Sequence, residues 1–71
     1  MAPDPVFANL TDRERDILRL LASGRRTAEI AAELYLAPKT VSNALTSIFA
    51  KLQVGSRAEA IVLAREHGFG V

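Results

Sequence analysis

The 71-residue chain has no cysteine. That removes any disulfide framework or thiolate metal site and leaves a reducing compartment permitted. Its one histidine, His67, has no carboxylate or thiol cluster around it, so it makes neither a metal site nor a general base. No apolar run approaches the roughly 18 residues that span a bilayer, and the first residues lack the basic-then-apolar pattern of a secretion signal. A cytoplasmic location with no membrane partner is the expectation. Nucleophile elbow, phosphate loop and paired carboxylates are all missing. Gly68-Phe69-Gly70 reads as a tail and not a dinucleotide fingerprint, because no strand pattern precedes it and no helix follows. A chain of this length holds one small core. No catalysis, cofactor, metal or small-molecule substrate is expected.

Charge is scarce in net terms, at +1, so its distribution carries the information. Residues 1–34 carry five arginines against six acids, and residues 59–71 carry Arg65 against Glu59 and Glu66. Between them, residues 35–58 hold Lys39, Lys51 and Arg57 and no acid. A phosphate backbone repels carboxylates, which makes an acid-free window the electrostatic half of a nucleic-acid signature.

Met1 to Asn9 has Pro3 and Pro5 and no periodicity, so it reads as a disordered tail or linker, with the folded domain over residues 10–71. Asn9-Leu10-Thr11 matches a glycosylation acceptor only formally. Thr11-Asp12-Arg13-Glu14 is a capping box, in which the Thr11 hydroxyl accepts the Glu14 amide and the carboxylate reaches back. A first helix follows with Ile17, Leu18, Leu20 and Leu21 as its apolar stripe, and Gly24 ends it. Arg25 and Arg26 fall in the next corner. A second helix is expected to start with Thr27 as N-cap and to bury Ile30, Ala31 and Leu34. Ala31 is small enough for a steep helix crossing. Tyr35-Leu36-Ala37 makes a tight turn with Leu36 plugging the core.

Pro38 suits the first turn of a third helix, where its missing amide costs nothing. Val41, Ala44, Leu45, Ile48, Phe49 and Leu52 then recur at one-face spacing, leaving Lys39, Ser42, Asn43, Thr46 and Ser47 outside the stripe. Gln53-Val54-Gly55 breaks the helix, and Ser56-Arg57-Ala58-Glu59 is a second capping box that opens a fourth. Ala60 to Ala64 is apolar all round the helix. One side must pack on the domain, and the other is a candidate partner surface. The fold class is all-α: four helices, with helices 2 and 3 forming a helix-turn-helix.

With these blocks in place, the chain resembles the helix-turn-helix domain shared by LuxR-type quorum regulators and FixJ/NarL-type response regulators. The resemblance runs over about residues 10–68. It lies in Leu-Thr-Asp-Arg-Glu at 10–14, Leu-Leu-Ala-Ser-Gly at 20–24, Glu-Ile-Ala at 29–31, Ala-Pro-Lys-Thr-Val at 37–41, Ile-Phe-Ala-Lys-Leu at 48–52 and Ser-Arg-Ala-Glu-Ala at 56–60. The promoter-reading fourth region of sigma factors shares the first three blocks. The Ile-Phe-Ala-Lys-Leu exit and the fourth helix favour the LuxR type.

The resemblance implies sequence-specific binding of double-stranded DNA by a bacterial transcription regulator, with helix 38–52 in the major groove. Ser42, Asn43 and Thr46 would meet bases, and Thr27, Lys39, Thr40 and Lys51 would lie near phosphates. Pairing of two copies through the last helix would involve Ala58, Ile61, Val62 and Arg65, and RNA polymerase would be a further partner. Asn43 stands out as a base reader, because one amide can bond adenine N6 and N7 together. Lys39 gains from the positive end of its helix. Ser42 and Thr46 are short, which favours contact through water. Relatives often carry lysine or another long polar residue at those two positions, a His or Tyr at Ala44, and Ser or Thr at Ala37. The alternative reading is therefore a protein-interaction module that keeps the fold with little affinity for DNA.

Overall fold

The computed structural model describes residues 7–69, and the remaining positions, 1–6 and 70–71, lie outside that part. Four helices make up the described chain: α1 (Asp12–Ala22), α2 (Thr27–Leu34), α3 (Pro38–Leu52) and α4 (Arg57–Glu66). No strand occurs among the described residues, and the all-α class stands.

Local chemistry explains most of the boundaries. Thr11 Oγ1 accepts the Glu14 amide at 3.1 Å while Glu14 Oε1 accepts the Thr11 amide at 2.9 Å, so the capping box opens α1 as its spacing predicts. At the other end Gly24 takes φ +98°, and the Arg25 amide donates back to the Leu20 carbonyl at 3.1 Å. That is a Schellman stop, and it needs the glycine. Helix α2 starts one residue earlier than expected. Arg26 is its N-cap and Thr27 its first residue, because Glu29 Oε1 accepts the Arg26 amide at 2.8 Å and does the capping from inside the helix. At α4, Ser56 Oγ accepts the Glu59 amide at 3.2 Å and donates to Glu59 Oε1 at 3.4 Å, so the carboxylate returns to the cap hydroxyl.

Two stops use a left-handed residue that is not glycine. Tyr35 has φ +57° at the end of α2, where the Leu36 amide reaches the Ala31 carbonyl at 2.8 Å. Gln53 has φ +57° at the end of α3, so Gln53 and not Gly55 makes the break expected there. Left-handed backbone costs a side-chain-bearing residue roughly 1–2 kcal/mol, and the Tyr35 ring is 94% exposed, so packing does not offset that cost. Tyr35→Gly is expected to stabilise the domain by about 0.5 kcal/mol after the entropy of glycine is subtracted, a rise of roughly 2–4 °C in melting temperature. A melting temperature that stays put or falls would show that the ring contributes something its exposure hides.

The core draws on every helix. Ile17, Leu18, Leu21, Ile30, Val41 and Ile48 are fully buried, and each contributes about 1.5–3 kcal/mol by leaving water. Ala31 is 2% exposed, as a close crossing requires, whereas Leu36 is only half-buried against the core. From α4 the core takes Ala60 and Ala64, both fully buried. Small residues there let α4 lie close against α1.

The expected tail or linker is corrected at its last three residues. Phe7 is 3% exposed, and its carbonyl accepts the Leu10 amide at 3.2 Å and Arg15 Nη2 at 3.0 Å. Its ring packs edge-on to His67 at 5.1 Å and tilted on Phe69 at 4.8 Å between centroids. Phe69 is likewise no loose tail. Gly68, at φ +88°, turns the chain so that the Phe69 amide bonds the Ala64 carbonyl at 2.9 Å. The first six residues of the expected tail lie outside the described part.

Candidate nucleic-acid interface

Helix α3 divides cleanly. Val41, Leu45, Ile48 and Leu52 are buried, with Ala44 and Phe49 half-buried beside them. Lys39, Asn43, Thr46 and Ala50, at i, i+4, i+7 and i+11, form one exposed line down the opposite side, with Ser42 along its edge. No acid lies on this helix.

Its N-terminus is bare. Ala37 caps without a side-chain bond and Pro38 occupies the first position, so the first-turn amides of Lys39 and Thr40 have no intrahelical acceptor. Lys39 and Asn43 make no side-chain hydrogen bond among the described residues, and neither do Thr40 and Ser42. Thr46 differs: its hydroxyl donates to the Ser42 carbonyl at 3.2 Å. Its lone pairs and methyl group are what it offers outward.

Two polar side chains of α3 turn inward instead. Ser47 Oγ donates to Glu14 Oε2 at 3.2 Å, and Lys51 Nζ donates to Glu14 Oε1 at 2.7 Å and to the Asn9 carbonyl at 3.2 Å. The Lys51 ammonium, expected near phosphate, thus serves a carboxylate on a residue only 8% exposed. The Lys51 hydrogen bond and then the Thr11 amide hold the Glu14 carboxyl below its ordinary pKa, against the opposing effect of burial.

A second polar cluster lies where α1 hands over to α2. Arg57, at the start of α4, donates from Nη1 to Thr27 Oγ1 at 3.3 Å and from Nη2 to the Arg25 carbonyl at 2.9 Å. The Arg25 side chain pairs with Glu33, while Arg26 is exposed and its side chain is unpaired among the described residues. Thr27 was legible as a candidate. Arg57 was missed as one, because thirty residues separate it from Thr27 and no periodicity links them.

The four residues expected to pair copies along α4 separate. Ala58 and Val62 are exposed and line an open apolar groove with Val54 and Leu63, edged by Glu59 and Glu66. Ile61 is half-buried against the core. Arg65 Nε donates to the Ala22 carbonyl at 2.7 Å, which ties α4 to the last turn of α1.

A packed four-helix core that holds out a polar, acid-free helix after a tight turn defines a helix-turn-helix DNA-binding domain. The chain belongs to the luxR family of bacterial regulatory proteins, whose family model matches residues 8–64. It is 47% identical over 60 residues to the transcriptional regulatory protein DesR of Bacillus subtilis (strain 168), covering 84% of this chain and 30% of that protein. Over 59 residues it is 49% identical to the transcriptional activator protein ExaE of Pseudomonas putida, covering 83% of this chain and 28% of ExaE. The transcriptional regulatory protein ComA of B. subtilis is 46% identical over 59 residues, again 83% of this chain and 28% of the relative. The chain thus spans under a third of the length of these curated relatives. It is a regulatory, DNA-binding domain and not an enzyme.

Proposed function

We propose that this domain binds double-stranded DNA sequence-specifically in the bacterial cytoplasm and regulates transcription, with α3 in the major groove. The observation that carries this reading is the exposed line Lys39, Asn43, Thr46, on a helix whose other side is core and whose first turn is bare of acid. Asn43 reads an adenine edge, and Ser42 and Thr46 contact neighbouring bases through water. Lys39, Thr40 and Thr27 position the helix on phosphates. Fluorescence anisotropy with mixed-sequence duplexes, from low to near-physiological salt, tests it. Affinity should fall linearly on logarithmic axes, by about 0.9 per phosphate engaged. No binding at low salt would leave a protein-interaction module as the better account.

Asn43→Ala should cost about 1.5 kcal/mol at one adenine-thymine pair and little elsewhere, read by competition between duplexes differing at single positions. An equal loss on every sequence would mean that Asn43 does not read a base.

Two copies pair through the open side of α4, around Ala58 and Val62, and engage two half-sites. One helix per copy buries far less than the ~1,200 Å² of a stable interface, so the pair is weak in isolation. Sedimentation should show partial dimerisation at high concentration and two copies on a two-half-site duplex. A strict monomer in both settings would remove the interface. The name of ExaE, a transcriptional activator protein, favours activation as the direction of regulation, and RNA polymerase is proposed as a further partner.

A further inference from the structure

We infer that Arg57 is a phosphate-positioning residue: with Thr27 and Arg26 it makes a backbone anchor at the α1–α2 corner, separate from the line on α3. The inference rests on the DNA-binding reading above and adds a residue to it. Its ligand is a phosphodiester of duplex DNA.

Arg57 spends donors on Thr27 Oγ1 and on the Arg25 carbonyl, so its guanidinium is fixed while the residue stays exposed. A guanidinium carries five donors in a rigid fork, and those not facing the protein are left to meet an anion with little further ordering. Thr27 gains from the same bond. Its oxygen accepts from Arg57, which leaves its hydroxyl hydrogen to donate outward. Had Thr27 been the N-cap, that oxygen would have been occupied by its own helix. It is instead the first residue of α2, and Glu29 does the capping. Both acids at the corner are engaged, since Glu33 pairs with Arg25 and Glu29 accepts the Arg26 amide. Arg26 extends beside them with no side-chain partner among the described residues. The first helix of a helix-turn-helix crosses the DNA backbone, so its opening turn is where such donors meet phosphate.

Arg57→Ala, Arg57→Lys and Thr27→Val test this, with anisotropy on specific and mixed duplexes across a salt series and a thermal melt of each variant. Arg57→Ala should weaken binding about tenfold on every sequence and make the logarithmic salt slope shallower by about 0.9, the loss of one phosphate contact. Arg57→Lys keeps the charge and the slope but cannot span both acceptors, and should bind two- to fivefold more weakly. Thr27→Val should cost a few-fold at unchanged slope, and should cost nothing further in the Arg57→Ala background, because the two act as a unit. Should Arg57→Ala lower the melting temperature and yet keep the wild-type slope, Arg57 is a structural brace and the inference is overturned. Additive losses in the double variant overturn the coupling to Thr27. A wild-type chain that binds no duplex at any salt instead overturns the DNA-binding reading itself, an outcome distinct from both.

Discussion

Phe7→Ala should remove about 3 kcal/mol of stability, the scale for deleting a buried aromatic ring and leaving its cavity. The side chain is 3% exposed and packs on His67 and Phe69, so the hole has walls from the residues that follow α4. A 71-residue domain has little to spare, since its net stability lies toward the low end of the 5–15 kcal/mol range. The melting temperature should fall by more than roughly 10 °C. Phe7→Leu, which keeps most of the volume, should restore the larger part. Denaturant unfolding by circular dichroism checks both variants, and deletion of residues 1–9 should behave like Phe7→Ala. A variant melting within about 2 °C of the parent would return Phe7 to the linker. DNA affinity measured at low temperature, where the variant is folded, should stay close to that of the parent, because Phe7 touches none of the α3 line.

That result bears on what could be read before the fold was known. Periodicity placed α3 at Pro38–Leu52 because six apolar residues repeat on one face, and Pro38 marks its start. The Thr11 box placed α1 for the same reason: both signals are local, built from residues three or four apart. Phe7 had no such pattern. It stands alone between proline-bearing residues and Asn9, and its partners lie sixty residues away, so only tertiary packing makes it core. Thr27 shows a different limit. As a residue type it suits an N-cap, but Glu29 competes for the same job and wins by bonding the Arg26 amide. Lys51 is the most instructive case. An exposed-looking lysine at the end of a recognition helix suggests phosphate, yet Glu14 lies thirty-seven residues earlier and takes it. The site's outward line of Lys39, Asn43 and Thr46 was legible because exposure on a helix follows from the core face. The Arg57 corner was not, because it joins α4 to α2 across the fold.

Glu14→Ala should destabilise the domain by about 2–3 kcal/mol, more than any single surface ion pair contributes. The carboxylate closes the α1 capping box, worth about 1 kcal/mol by itself, and takes Lys51 and Ser47 besides. It thereby joins the start of α1 to the far half of α3, where α3 packs on α1. Glu14→Gln keeps the shape and the capping bond but drops the charge, and should cost about 1–2 kcal/mol, as expected for hydrogen bonds to a charged group. The pH dependence separates the two contributions. Glu14 is held below its ordinary pKa in the folded chain, chiefly by the Lys51 hydrogen bond, whereas unfolded it titrates at roughly 4.3. A depressed folded pKa means that the unfolded chain binds the proton first as pH falls. The stabilisation is therefore complete above the unfolded value and is lost as pH drops through it toward the folded one. Denaturation midpoints measured from pH 7 down to about 3 should show the wild type losing stability faster than Glu14→Gln below about pH 5, with the gap between them closing. Parallel curves would mean that the charge on Glu14 does nothing for the fold and that capping alone explains the loss in Glu14→Ala. Lys51→Ala should flatten the wild-type curve in the same window, because the first cause of the depressed pKa is then gone.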